Sequence, residues 1–411
     1  MTTITENKKI LIAGGGFAGI RSALDLIKKH PSASITLINN KPNFEYYPGL
    51  YRVVMDHSPI NVCIPYELIF KDLPIKVVVD TITGVDLMGK KVAGEKGAYS
   101  YDTLVLGLGS ETTYFNLPGL DTLSFGFKSV KEAITLKNHL HDLFLEHTHP
   151  SKEEMVSHFH VVLVGGGASG VELAGDLMHH LETIAEMHKI DPSLITIDII
   201  EASSRLVMAL PESASQKILN RLHKLGVNVF LNRAIVKEEI EQVYLKDMSM
   251  KSKTVIWTAG TKTNHIYGEI SGLELDKKGK VVVDEYLQAK GFENVFIVGD
   301  AAATSYAGLA QTALYDGKYV ARTIAHKLSN KKLTPYVPKK NAYVIPVGYG
   351  WGIAIIGKFQ ITGWIAWMLR RFIDFKFFSS ILPLSHIIKM FKDEKPDTVY
   401  CNVCAGCEDE K

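Results

Sequence analysis

Apolar positions in this 411-residue chain gather into short runs that end on glycine. Ile10-Leu11-Ile12-Ala13 and Val161-Val162-Leu163-Val164 each run into three glycines. An apolar run of that length, closed by a turn signal, predicts a buried strand. Helical periodicity follows each glycine cluster, so both units read strand, turn, helix. Further runs continue the alternation: strand Ile35–Ile38, an aromatic and proline-rich loop from Phe44 to Tyr51, and a stretch near 76–101 that alternates like small antiparallel strands. Strand Tyr101–Leu106 enters a glycine turn, and Asn116-Leu117-Pro118-Gly119 breaks the pattern. Beyond it the periodicity predicts a helix over 128–147, a long helix Val171–Met187, a strand Ile195–Ile200 ending at Glu201, a helix Ser213–Leu225 and strands Val227–Leu231 and Thr254–Gly260. Alternating strands and helices of this kind give an α/β fold with parallel sheets.

Composition narrows the class. Hydrophobic content is 46% and charged content 22%, which suits a globular chain with more than one core. The formal net charge of +2 gives no bulk argument for nucleic acid as a partner. No stretch reaches the roughly 18 consecutive apolar residues of a membrane span. The polar start Met1–Lys9 lacks the apolar region of a secretion signal. Of four cysteines, only Cys63 lies in the body of the chain, which argues against a disulfide-stapled fold and for a reducing compartment.

The glycines carry the chemistry. Gly14-Gly15-Gly16-Phe17-Ala18-Gly19 and Gly165-Gly166-Gly167-Ala168-Ser169-Gly170 both fit the spacing of a dinucleotide turn. In that pattern Gly14 and Gly165 permit the tight turn. Gly16 and Gly167 let a pyrophosphate approach the backbone, and Gly19 and Gly170 let helix and strand pack closely. The helix N-terminus then offers free N–H groups to the phosphates. A strand-end carboxylate normally holds the adenosine ribose. Glu201 stands there in the second unit, favouring NADH over a 2′-phosphorylated nucleotide, with Arg205 close by; a solvated strand end is its plainer reading. The first unit has Asn39 and Asn40 instead, which accept a ribose hydroxyl without charge or simply form a loop. Val295–Val298 leads into Gly299-Asp300, where a carboxylate caps the following segment or bonds flavin ribityl hydroxyls. Two dinucleotide turns followed by that Gly-Asp point to a flavin and a nicotinamide in one protein.

Taken together, these residues resemble the two-dinucleotide-binding flavoproteins, and within them type II NADH dehydrogenase, the single-subunit NADH:quinone oxidoreductase. The resemblance runs from residue 8 to about 392. Its marks include Gly107-Leu108-Gly109-Ser110, Gly170-Val171-Glu172, Trp257-Thr258-Ala259-Gly260 and Ala310-Gln311-Thr312-Ala313. It implies two Rossmann-like, glutathione-reductase-like domains: a discontinuous FAD-binding domain over 1–117 and 266–340 and an NADH-binding domain over 118–265. It implies non-covalent FAD held by Gly14, Gly16, Gly19, Asn39, Asn40, Gly109, Asp300, Ala310 and Gln311. NADH falls to Gly165, Gly167, Gly170, Glu201 and Gly260. The implied reaction passes two electrons from NADH to a membrane quinone without pumping protons, in a homodimer. Quinone contact is expected at Gln311, Tyr315 and Lys376; a helix that only packs, and for Lys376 a membrane-facing cation, are the plainer readings. Tyr315 departs from the family motif, which has a second glutamine there. Glu172, read here into the first helical turn, either gains only from the helix dipole or, as the resemblance implies, serves in proton relay or in coupling the two substrates. A non-quinone acceptor, or a sensing role resembling apoptosis-inducing factor, stays open as an alternative.

The C-terminal region, 341–395, supplies the expected route to a lipid-soluble acceptor. Trp364, Ile365, Trp367, Met368, Phe372 and Phe375 make it densely apolar, with Arg370, Arg371 and Asp374 as a polar stripe. Leu384, Ile387, Ile388 and Phe391 recur on one helical face. Residues 358–395 carry a local excess of four positive charges. An amphipathic helical region of this kind predicts peripheral anchoring to the lipid bilayer surface, on the cytoplasmic side of the cell membrane. A packed helix pair is the alternative. The tail, 396–411, holds Cys401, Cys404 and Cys407 at the spacing of an iron–sulfur ligand run, or of an incomplete zinc site. A reduced, unligated tail reads equally well.

Overall fold

The computed structural model describes residues 8–145, 155 and 157–392. It divides into two compact units. Among the described residues, the first comprises 8–44, Ile64–Glu111 and Thr261–Asn341; the second comprises Glu45–Cys63, the described part of 112–260, and 342–392.

The first unit is built on a six-stranded sheet ordered Gln288–Ala289, Phe292–Ile297, Thr103–Leu106, Lys9–Ala13, Ser34–Asn39 and Ile75–Val79. Lys9–Ala13 pairs in parallel with strands on both sides, so its residues see neighbours on either edge and read as a continuous apolar run. Ile75–Val79 joins this sheet in parallel, against the expectation of an antiparallel element there. Ile82–Asp86, Lys91–Gly94 and Ala98–Ser100 do form the small antiparallel sheet. Leu11, Leu104, Leu106, Tyr267 and Ile297 lie in one buried cluster on the sheet. Each such side chain contributes about 1.5–3 kcal/mol by leaving water. The helices Phe17–Lys29 and Ala310–Leu328 pack together at Gly317. A Cβ there would lie 2.4 Å from the Ala18 carbonyl oxygen, so only glycine permits that approach.

The second unit repeats the plan with a five-stranded parallel sheet ordered Phe125–Gly126, Thr254–Trp257, His160–Val164, Thr196–Glu201 and Asn228–Leu231. The helices Val130–Leu145, Ala168–Met187 and Glu212–Lys224 fall within two or three residues of their sequence-read bounds. A three-stranded antiparallel sheet, Tyr343–Pro346, Gly352–Ile356 and Phe359–Gly363, leads into the C-terminal helices Trp364–Phe378 and Leu384–Lys392.

The first of these helices reverses one expectation. Arg370 and Asp374 are not a solvent-facing stripe but are buried, Asp374 completely. Trp364, Ile365, Met368, Phe372 and Phe375 are exposed instead. In the next helix the expected single face divides, with Ile387 buried and Leu384 and Ile388 exposed. Among the described residues no helix is long and apolar enough to cross a membrane. The cysteine tail lies outside the described residues.

Candidate functional site

Both glycine turns have the geometry that their three positions require. Gly14 has a φ of 104° and Gly165 a φ of 111°, which glycine adopts freely. A Cβ on Gly19 would sit 2.0 Å from the Gly14 carbonyl oxygen, and one on Gly170 would sit 2.1 Å from that of Gly165. The middle glycines differ in kind. A Cβ on Gly16 or Gly167 would meet nothing within 4 Å, so open space lies over both. Each begins its helix without a side-chain cap, and neither first turn carries an acidic residue. Two helix N-termini are thus left to donate to an anion. The donor set and the open space suit a pyrophosphate at each turn.

The strand ends tie these loops down. Asn39 Oδ1 accepts from the Gly15 N–H at 2.9 Å, and its own amide donates to the Lys41 carbonyl. Glu201 does the equivalent with charge: Oε2 accepts from the Gly166 N–H and Oε1 from the Ser203 N–H, both at 2.6 Å. Asn40 is exposed beside Asn39. Arg205 is committed elsewhere, donating to the Leu210 and Met208 carbonyls and to Ser215 Oγ.

Other predicted positions in the first unit lie along the same sheet end. Gly109 has a left-handed φ of 73°, and its carbonyl accepts from the Asn264 N–H. Asp300 does not cap a helix. It stands inside the short 3-10 turn Gly299–Ala301 and accepts from Ser110 Oγ at 2.5 Å. The turn is too short to need a side-chain cap, so the carboxylate faces the loop after Thr103–Leu106. Ala310, Gln311 and Tyr315 begin the helix Ala310–Leu328, with Gln311 exposed and Tyr315 half-buried. Tyr315 packs against Tyr336, their centroids 5.6 Å apart. Asp316, which sequence reasoning passed over, is fully buried beside them. It accepts from the Gly299 N–H and from Tyr336 Oη, and burial pushes its pKa up to about 6.

The second unit holds a buried charge cluster. Glu172 opens the second turn of Ala168–Met187, one residue past the first turn to which the sequence assigned it. Its Oε1 accepts from Arg370 Nη1 at 3.1 Å. Arg370 also donates from Nε to Asp374 Oδ1 and from Nη1 to the Val344 carbonyl. Asp374 in turn accepts from Tyr46 Oη at 2.6 Å and from Arg52. Two guanidiniums thus face two carboxylates in a buried site. Burial raises the Glu172 pKa to about 7, with Arg370 opposing it. Against the same burial, Arg370 and Arg52 hold the Asp374 carboxyl below its ordinary value. Asp176, one turn after Glu172, is raised to about 6 by burial, with Arg52 opposing. Asp374 therefore stays ionised and neutralises Arg370, leaving Glu172 to exchange a proton near neutrality. Lys376 is exposed on the Trp364–Phe378 helix. Gly260 is hemmed by Phe115, whose Cζ would lie 2.6 Å from an added Cβ.

Of this cluster the sequence marked only Glu172 as functional. Arg370 and Asp374 carried a signal, a charged pair four residues apart inside an apolar helix. Nothing local marked Tyr46 or Arg52.

Comparison with known proteins follows this geometry. Residues 8–317 match the profile of the pyridine nucleotide-disulphide oxidoreductase family. The type II NADH:quinone oxidoreductase of Staphylococcus haemolyticus is 26% identical over 385 residues, covering 90% of this chain and 94% of that protein. A Staphylococcus aureus protein of the same name is also 26% identical over the same span. Among solved structures, NDH2 from Plasmodium falciparum in complex with NADH has a TM-score of 0.84 at 17% identity, covering 94% of this chain and 97% of that one. The sulfide:quinone oxidoreductase of Aquifex aeolicus has a TM-score of 0.75 at 16% identity, covering 95% and 93%. These structures share the fold.

Proposed function

The chain belongs to the pyridine nucleotide-disulphide oxidoreductase family, and from that premise we propose that it is a type II NADH:quinone oxidoreductase. It oxidises NADH through a flavin and reduces a quinone. The observation that carries this reading is the pair of open, uncapped glycine turns in one chain, set in a full-length likeness to enzymes of that name.

The flavin is FAD, held non-covalently by the first unit. Gly14, Gly16 and Gly19 shape the turn, and the Phe17–Lys29 helix start receives the pyrophosphate. Asn39, Asn40, Gly109, Asp300, Ala310 and Gln311 complete its surroundings. The second unit takes NADH on Gly165, Gly167 and Gly170, with Glu201 on the ribose and Gly260 lining the approach. In domain terms, 1–117 and 266–340 serve FAD and 118–265 serves NADH. Bound FAD supplies hydride acceptance and two-electron release.

The chain itself must manage one proton, because NADH brings a hydride whereas a quinol carries two protons. Glu172 is suited to hold and release it, since it titrates near neutrality. Arg370 fixes the orientation of that carboxylate, and Asp374, Arg52 and Tyr46 fix Arg370. Gln311, Tyr315 and Lys376 are assigned to the quinone, with the Tyr315 hydroxyl standing where the family pattern has an amide.

The C-terminal region supports peripheral attachment to a membrane. Exposed Trp364, Phe372 and Leu384 offer apolar anchors. Each one buried in lipid adds about 1.5–3 kcal/mol, and each nearby Lys or Arg adds about 1 kcal/mol on anionic lipid. The cytoplasmic face and a homodimer complete the proposal. Steady-state turnover tests it: quinone-dependent NADH oxidation by the FAD-loaded protein is expected. NADH oxidation indifferent to every quinone overturns it.

A further inference from the structure

Away from the glycine turns and the buried charge cluster, the second unit gathers three metal-ligating side chains from three elements. Asp56 follows the helix Leu50–Val54 in a left-handed conformation, with a φ of 61°. His141 comes from the helix Val130–Leu145 and His180 from the helix Ala168–Met187. Both Asp56 oxygens lie 2.9 Å from His141 Nε2, and Oδ2 lies 3.6 Å from His180 Nε2. The three ligand atoms all fall within 4.8 Å of one another. The side chains are 15–31% exposed, which shields the site yet leaves a path for an ion.

We propose that Asp56, His141 and His180 form a three-ligand site for a divalent transition-metal cation of the zinc class. Two imidazoles and one carboxylate, with a position left for water, is a set that zinc accepts. Bonds of about 2.0–2.2 Å require ligand atoms within about 4 Å of each other, so small side-chain rotations close the site. His180 Nε2 faces the same carboxylate from a third element, so the two imidazoles converge on Asp56. Lys137 Nζ lies 3.2 Å from Asp56 Oδ1 and acts as the counter-cation that a metal displaces. The site is independent of the proposed quinone reaction.

The test uses the full-length, FAD-loaded protein in which Cys401, Cys404 and Cys407 are replaced by Ser, removing thiolate competition. Zn²⁺ is titrated by calorimetry and Co²⁺ by visible absorbance. One equivalent is expected, with a Co²⁺ spectrum lacking a thiolate band. His180→Ala should weaken binding at least a hundredfold, and Lys137→Met should tighten it about tenfold. Thermal unfolding without metal checks that each variant folds. Uptake below one equivalent, or an affinity unchanged in either variant, overturns the proposal.

Discussion

The two glycine turns share a backbone and differ in charge. Each has a left-handed first glycine, an unobstructed middle glycine and a third glycine within about 2 Å of backbone were it to gain a Cβ. The tether of the first is neutral Asn39, whereas that of the second is anionic Glu201. Two residues past the third glycine the contrast widens to opposite charges. The first turn has Arg21, paired with Asp25 on its own helix at 3.1 Å. The second has Glu172, buried against Arg370 from the C-terminal region. Backbone geometry thus makes both turns fit for a dinucleotide, and the difference in charge supports the separate tasks proposed for them. A tightly held cofactor needs no carboxylate to tell NADH from its 2′-phosphorylated form, but a substrate site does. A proton-handling residue belongs on the substrate side.

Breaking the second turn's ion pair should have the largest effect. Arg370→Met leaves Glu172 without its guanidinium and Asp374 with Arg52 alone, and should cost about 3–5 kcal/mol in urea unfolding. The matched change Arg21→Met removes one i,i+4 pair within a single helix and deprives only Asp25 of a guanidinium, so it should cost less. Equal costs would erase the contrast.

The pH dependence of stability separates the two next. Glu172 has a folded pKa of about 7 against an ordinary 4.5. The folded state therefore binds the extra proton between those values, and the contribution falls as pH rises from 4.5 through 7. Its full size is about 3 kcal/mol at most, at 1.36 kcal/mol per unit. Glu172→Gln should flatten that part of the stability profile and remove an inflection near pH 7 in kcat. A profile unchanged by the substitution would take the proton from this residue.

Glycine positions sharpen the comparison within each turn. Gly19→Ala and Gly170→Ala force a Cβ onto backbone and should each cost about 1–3 kcal/mol in the cofactor-free protein. Gly16→Ala and Gly167→Ala should leave that stability within about 0.5 kcal/mol. They should instead weaken FAD retention and NADH affinity respectively, read by flavin content and KM. The tethers act on ligand affinity and choice. Glu201→Gln should raise the KM for NADH about tenfold, or about 1.4 kcal/mol, and narrow the preference over NADPH. Asn39→Asp should leave flavin content unchanged.

Much of the parallel architecture was legible because glycine spacing and apolar runs are local signals. The strand ends at Asn39 and Glu201 could be read by counting along the chain. Ile75–Val79 could not be assigned to the large sheet, because its partner Ser34–Asn39 is distant and short alternation looks alike in either pairing. The C-terminal helix misled for a physical reason. Periodicity shows that polar and apolar residues segregate, but not which side faces solvent. Here Arg370 and Asp374 turn inward because Tyr46, Arg52 and Glu172 satisfy them there. Tyr46 and Asp374 are separated by 328 positions, and no local pattern announces such a meeting. Asp56, His141 and His180 were hidden likewise, each an ordinary residue until three elements converge.

Anaerobic stopped-flow on the FAD-loaded protein tests the central claim most directly. Flavin absorbance is followed first on mixing with NADH, then on mixing the reduced protein with a short-chain quinone. The account predicts rapid bleaching by NADH and rapid recovery with quinone, with Gly167→Ala slowing only the first phase. Bleaching without recovery by any quinone, or a Gly167→Ala protein whose NADH phase is unaltered, would contradict it.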